Sequence, residues 1–349
     1  MTSRISSRQL ALGIIGFCLL ALALGVFNAV QLSQKNPQSW SDESKAAAVP
    51  GLLQHKPHLA LIELSGVISM DAAKEGGLFR TDSNAVTVRK ALDAAAKDDR
   101  VKGVLLRINS PGGTVAMSQE LNAAVRRVSM QKPIIASMGD MAASGGYYTA
   151  CAADRIFANP GTLTASIGVI ISSMDASRLI TQKLGLQPIT MKSGKFKDIL
   201  SPYRPPTSED KALVQKLIND SYHDFLTAVL QGRTRLLHSV KTQEIIKSRI
   251  RAVADGRVMT GAQAKAAGLV DQIGDQDIAY TQLDKLAKER FQIKDDDRLP
   301  LEVPDEGFSL FDFLSHGTGV KLGSNALAQV TDTLPVSLRY PNQPLWVME

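Results

Sequence analysis

From His58 onward, short apolar runs alternate with longer stretches of helical period, and this alternation constrains the fold more than any other feature. Leu59–Leu64 and Val101–Ile108 read as strands, the second apolar enough to be buried on both faces. Pro133–Met138, Arg155–Ala158, Ile167–Ile171 and Pro188–Met191 read as further strands. Between them, Ser83 caps a helix whose Val88, Leu92 and Ala95 share a face, and Thr114–Met130 places Met117, Leu121, Val125 and Val128 together. Ala143–Ala153, Asp175–Leu184 and Ser208–Gly232 complete the helices. Repeated β–α alternation predicts an α/β fold, a parallel sheet wrapped by helices on right-handed crossovers. Residues 58–290 contain no internal repeat, and after about residue 293 the pattern fades into Gly, Pro and Ser with scattered aromatics.

The chain begins differently. No charged residue lies between Arg8 and Lys35, and Leu10–Val30 is Leu, Ala, Ile, Gly, Phe and Val with Asn28 its clearly polar member. At about 1.5 Å per residue, that stretch covers the roughly 30 Å hydrocarbon core as a helix. Arg4 and Arg8 precede it, which favours residues 1–9 in the cytoplasm and export of everything after the span. A cleaved signal peptide is the alternative, but the run is longer than such apolar regions and no small-x-small site follows. Residues 31–57, rich in Gln, Ser, Asn, Pro and Ala, read as a linker. The expected layout is therefore a short tail (1–9), an anchor (10–30) contacting lipid, a linker (31–57), a catalytic domain (58–292) and a partly irregular extension (293–349).

Composition narrows the function. With 44% apolar and 21% charged residues the chain is neither disordered nor collagen-like. Cys18 and Cys151 cannot build a disulfide framework. The net charge of +6 is mild and spread along the chain, and 5% aromatic residues give no stacking platform for nucleic acid. No His/Cys/Asp set has metal-ligand spacing, and Gly194-Lys195 runs into Phe196, so there is no phosphate loop; neither metal nor cofactor is expected.

Three segments carry candidate chemistry. Asn109-Ser110-Pro111-Gly112-Gly113 follows a buried strand and precedes a helix, so its backbone N–H groups can serve as an anion or oxyanion site; a plain strand-to-helix turn fits equally well. In Ala142-Ala143-Ser144-Gly145-Gly146-Tyr147-Tyr148 a serine opens a helix, the logic of a nucleophile elbow. The alternative is a simple N-cap. A serine nucleophile needs a base, and none of His55, His58, His223, His238 and His316 lies at a strand end beside an acid. Lys192-Ser193-Gly194-Lys195-Phe196-Lys197-Asp198-Ile199 offers lysines instead, since a buried lysine can lose its proton near neutral pH. The alternative is a solvated basic loop.

Together these segments resemble the signal peptide peptidase A family, membrane-anchored bacterial serine proteases. The likeness covers roughly residues 58–275. It rests on Ser110–Gly113, Ala142–Tyr148, Thr164-Ala165-Ser166-Ile167-Gly168-Val169, Lys192–Asp198, Asp255-Gly256-Arg257-Val258-Met259-Thr260-Gly261 and Ala266–Asp271. The resemblance implies a ClpP/crotonase-like core of repeated β-β-α units arranged as a superhelix, with an N-terminal transmembrane helix. It implies Ser144 as nucleophile, Lys197 as general base, Gly113 and Gly145 as oxyanion-hole donors and Ser166 as a supporting hydrogen-bond partner of the lysine. The family usually has Gly before that supporting serine; here Ala165 adds a methyl that restricts the turn. The implied activity is ATP-independent cleavage of remnant signal peptides and other envelope polypeptides at the extracytoplasmic face of the bacterial inner membrane. The implied assembly is a homo-oligomer with active sites near subunit interfaces. An acyl-CoA enzyme of the same fold and a non-enzymatic scaffold are the rival readings; neither needs Ser144 paired with Lys197.

Overall fold

The computed structural model describes residues 56–70, 85–294 and 296–303, and the backbone of 345–347. The expected anchor at 10–30, the linker up to residue 55 and the cap Ser83 lie outside the described residues. Among the described residues no helix is long and apolar enough to cross a membrane. The elements below belong to the unit Pro57–Glu349.

The central strands are parallel. β1 (His58–Ile68) pairs with β2 (Val101–Thr114), which pairs with β3 (Ile134–Ala143). The connections are helices: α1 (Ala85–Lys97) joins β1 to β2, and α2 (Val115–Gln131) joins β2 to β3. A parallel pair needs such a crossover, because the chain must return to the starting edge. The helical faces read from sequence are the buried ones: Val88, Leu92 and Ala95 on α1, and Met117, Leu121, Val125 and Val128 on α2.

Alternation along β2 splits the core into two layers. Val104, Leu106 and Ile108 pack with α1 and α2 on one face. Leu105 faces the other way, with Leu59, Ile135 and Phe157, onto Ala279, Leu283 and Ala287 of α7 (Gln276–Phe291). Burying both faces removes large apolar areas from water at about 25 cal/mol per Å2, which is why these runs carry so little polar character.

Beyond β3 the sheet forks. The first half of β3 pairs with β4 (Arg155–Ala158), and its last residues, Met141–Ala143, pair with β5 (Leu163–Ala165). β4 continues to β7 (Gln272–Ile273), whereas β5 continues to the antiparallel β6 (Val258–Thr260). β8 (Leu301–Glu302) closes the opposite edge against β1. The helices α3 (Gly145–Ala150), α4 (Ser208–Thr234), α5 (Val240–Arg251) and α6 (Gly261–Ala266) complete the unit. Two ion pairs brace the fork: Arg233 binds Asp271, which accepts from Ile156 N, and Arg235 binds Asp154, which accepts from Ile134 N.

Several expectations are corrected. Ser110–Gly113 is no turn: β2 runs through it to Thr114, with register shifts against both neighbours. Ile167–Ile171 is not a strand, because Ala165 and Ser166 take φ values of 66° and 50°, which rotates the chain out of the pleat. Pro188–Met191 is not a strand either. Ile189 and Met191 are 84% and 92% exposed, so the apolar run has no sheet to enter. The expected helix Asp175–Leu184 contains a short π-helix, Leu179–Lys183.

Candidate functional site

The fork holds the sequence-predicted residues. β3 ends at Ala143 and α3 starts at Gly145, so Ser144 turns the chain from strand to helix within one residue. It does so at φ 52°, ψ −115°, a conformation that L-residues avoid. The surroundings hold it there. Ser144 N donates to Ala165 O at 2.8 Å, and Tyr148 N donates to Ser144 O at 2.8 Å. Asn109 Oδ1 accepts from Met141 N, Thr162 Oγ1 donates to Gly139 O, and Thr164 Oγ1 donates to Ala142 O. Downstream, Tyr147 is buried with its hydroxyl donating to Leu269 O at 2.8 Å, and burial pushes its ionisation well above the ordinary value.

The Ser144 side chain is fully buried, and its Oγ makes no hydrogen bond. It is therefore not an N-cap, a role that would have it accept from the first turn of α3. A buried hydroxyl without a partner costs about 1–3 kcal/mol. Such a cost, on top of a strained backbone, is the kind of local expense that clusters at functional sites. The first-turn N–H groups of α3 have no intrahelical partners, and Gly145 is among them.

Gly113 lies on the neighbouring strand. A Cβ there would stand 1.9 Å from Ile68 O, so no side chain is tolerated where β1 and β2 approach. Ser110 ties the same stretch down, donating to Gly66 O at 2.6 Å and accepting from Gly112 N at 3.1 Å. A Cβ on Gly146 would meet Ser110 O at 2.9 Å, so α3 packs directly on this segment. Gly113 and Gly145 thus belong to adjoining strand and helix ends. Ser166, 8% exposed, follows Ala165 at the end of β5, its N–H bonded to Arg257 O.

Lys197 is not joined to this group by any hydrogen bond. It sits on an arm, residues 168–206, that contains no strand and little buried apolar surface. Lys192 Nζ binds Asp198 at 2.7 Å, and Lys195 pairs with Glu209. Arg204 clamps Asp198 at 2.9 Å and Asp210 at 2.6 Å, which holds both carboxyls well below the usual carboxylate range. Among the described residues Lys197 is thus the lysine of its cluster without a side-chain partner. Among the described residues His58, His223 and His238 offer no substitute: no hydrogen bond links one to Ser144 Oγ.

Two features of the region could not be read from sequence. The Arg204 clamp joins side chains brought together only by the folded arm. The second is β9 (Leu345–Val347), which pairs antiparallel with Gly112–Thr114. A three-residue run between Pro344 and Met348 carries no strand signal. A cavity of about 400 Å3 lined by Asn122, Arg126, Gln231, Arg235 and Gln243 includes none of the site residues. Among the described residues no His/Cys/Asp/Glu group is arranged to hold a metal.

Comparison with known proteins decides the family. The chain matches the model of Peptidase family S49 over residues 126–290. It is 34% identical to a putative protease of Synechocystis sp. over 83% of this chain and 95% of that protein. It is 37% identical to a putative protease of Methanocaldococcus jannaschii over 66% of this chain and 70% of the relative. The chain belongs to peptidase family S49. A further relative, the putative signal peptide peptidase SppA of Enterococcus faecium, is 37% identical, and the match spans 62% of its length. The S49 match begins within α2 and runs through α3 to α7, so it takes in Ser144, Ser166, Lys197 and the fork. Gly113 lies just before it. Protease activity and the α/β sheet of mainly parallel strands both accord with S49 membership.

Proposed function

We propose that the chain is a Ser/Lys endopeptidase that cleaves extended polypeptides through an acyl-enzyme, with Ser144 as nucleophile and Lys197 as general base. The observation that carries this is the state of Ser144: strained at the head of a helix, in a peptidase family, with an unbonded hydroxyl. Lys197, neutral, takes the Oγ proton as Oγ attacks the scissile carbonyl. The Gly113 and Gly145 N–H groups hold the oxyanion, each worth a factor of about 10²–10³ in rate. Collapse expels the amine, which takes the proton from the Lys197 ammonium. Water then hydrolyses the acyl-enzyme, with Lys197 again as base, and restores the Ser144 hydroxyl. Ser166 supports the lysine by hydrogen bonding.

Lys197 acts from a neighbouring copy of the chain. Two observations support this: Oγ of Ser144 has no partner within its own chain, and the arm bearing Lys197 exposes Met174, Leu179, Leu184, Leu186, Ile189 and Met191 by 56% or more. So many exposed large apolar side chains on one arm favour a contact face. Docking it on a second copy would also strip water from the lysine, and desolvation favours the neutral amine. Substrate adds as a strand along 110–115 and 165–171. The S49 relative named a signal peptide peptidase and the apolar segment 10–30 support remnant signal peptides as substrates. They also support single-pass placement in the bacterial inner membrane with the peptidase unit outside the cytoplasm.

The test is hydrolysis of a signal-peptide-derived reporter by full-length Ser144→Ala and Lys197→Ala. Both should lose activity by at least about 10³-fold. Ser144→Ala removes a hydroxyl that makes no bond, so its melting temperature should not fall. Activity surviving in either variant sinks the assignment.

A further inference from the structure

We propose that the cavity between α2, α4 and α5 is a second binding site, which takes a small organic carboxylate carrying an N–H donor, as the C-terminal end of a short peptide does. The cavity lies past the end of α3, whose other end follows Ser144, and it shares no residue with the proposed catalytic group. The inference does not depend on the reading of Ser144 as nucleophile.

At about 400 Å3, the cavity falls within the range of about 300–1,000 Å3 typical of small-molecule sites. It forms where Asn122 and Arg126 of α2 meet Gln231 of α4, Arg235 just after that helix, and Gln243 of α5. Asn122 and Arg126 are one helical turn apart and so share a face of α2. Two cations and three amides line the cavity, and no Asp or Glu does. Ala152, Ala228 and Gly232 give the rest of its wall small side chains. Gly232 is held to that size, since a Cβ there would stand 2.1 Å from Cys151 O. Arg126 and Gln231 are exposed, so the cavity opens to solvent.

The charges select the sign of the ligand. Arg235 donates to Ser129 Oγ, Ala152 O and Asp154, and the Asp154 carboxylate balances its charge. Among the described residues the Arg126 guanidinium has no ion-pair or hydrogen-bond partner, so one positive charge is left over. The two cations are close enough to repel: burial disfavours the charged form of Arg235, Asp154 opposes that, and Arg126 adds to it. A single carboxylate neutralises the excess, whereas a phosphate dianion overshoots it. A planar carboxylate also matches the guanidinium fork through two parallel N–H···O bonds. The amides select what accompanies the charge. Asn122 Nδ2 donates to Tyr148 O at 2.6 Å, and Gln243 Nε2 donates to Leu237 O at 2.7 Å. Those bonds fix both amide groups and leave their carbonyl oxygens as acceptors for an N–H beside the carboxylate. A peptide C-terminus supplies both groups, and hydrolysis of a peptide bond creates one at every turnover.

The experiment titrates acetyl-alanyl-alanine into full-length Ser144→Ala protein, which removes the proposed nucleophile, and follows binding by calorimetry. No turnover is read, so failure of the Ser/Lys reading leaves the result intact. Expected is one saturable site with a Kd of about 1 mM or tighter, and a melting temperature that rises with peptide concentration. The C-terminal amide of the same peptide should bind at least about tenfold more weakly. Arg126→Gln in the same background should weaken binding by a similar factor, and the melting temperature of the peptide-free variant should not fall, because the guanidinium holds nothing in the fold. Gln231→Glu, which sets a carboxylate in the wall, should also weaken binding at least about tenfold. Binding that survives either variant lies elsewhere, the proposed catalytic centre included, and overturns the proposal. An amide that binds as tightly as the acid overturns it too, as does no binding at about 10 mM peptide. Inorganic phosphate that binds more tightly than the peptide and displaces it would make this a bare anion site and overturn the assignment of a peptide carboxylate.

Discussion

At the scale of single residues, the site is built from backbone conformations that side chains disfavour. Ser144 at φ 52° is followed across the β3–β5 pairing by Ala165 at φ 66° and Ser166 at φ 50°. Ala165 stands where a glycine would be unstrained, and its carbonyl accepts the Ser144 N–H. Ala165→Gly should therefore stabilise the protein by about 1 kcal/mol, the left-handed penalty of a Cβ less the extra entropy of glycine when unfolded, read as a higher urea midpoint. Gly113→Ala is the converse. With its Cβ 1.9 Å from Ile68 O, β1 and β2 must separate, so we expect a loss of about 1–3 kcal/mol together with loss of hydrolysis. Cys151 has no part in the chemistry: burial pushes its thiol up to about 12, so native protein at pH 8 should resist iodoacetamide and keep its activity.

At the scale of elements, the arm 168–206 depends on charge rather than on apolar burial. Arg204, with Lys192, lowers the Asp198 carboxyl, and Arg204, with the Thr207 N–H, lowers that of Asp210, which also completes the capping box of α4. A carboxyl whose folded value lies below its unfolded one, near 3.9, stabilises fully above that value and loses its contribution as the pH falls through the folded value. Melting temperature should accordingly fall below about pH 4, and Arg204→Ala should flatten that acid limb. Asp98, held at about 2 by Arg100, and Asp255, held at about 2 by Arg257, leave a residual slope in the variant. If Arg204→Ala leaves the acid limb unchanged, the clamp does not hold the arm. The same arm explains why Pro188–Met191 misleads: an apolar run signals burial, but the partner that buries it need not be in the same chain.

At the scale of the whole molecule, Ser144 Oγ is not hydrogen-bonded to Lys197, and the proposed sharing of sites between copies makes a testable prediction. If each site takes its serine from one copy and its lysine from the next, mixed oligomers of Ser144→Ala and Lys197→Ala contain some sites with both groups intact. Random mixing in a head-to-tail ring would restore up to about a quarter of wild-type activity. No recovery in a verified mixed oligomer would place both groups in one copy. The sequence by itself determined the central layers, because apolar alternation and helical period report burial that neighbouring strands impose locally: β1 to β4 and helices α1, α2 and α4 fall where the pattern puts them. It also offered Ser144, Gly113 and the lysine cluster as candidates, with an N-cap, a turn and a solvated basic loop as the alternatives. Only the tertiary structure decided that Ser110–Gly113 is strand rather than turn, that Ala165 and Ser166 are left-handed, and that two of the three clustered lysines are paired. It alone placed Leu345–Val347 on the edge beside Ser144. These depend on which strand ends first and what then lies beside the unpaired edge. That is a property of residues far apart in the chain, and no local pattern carries it.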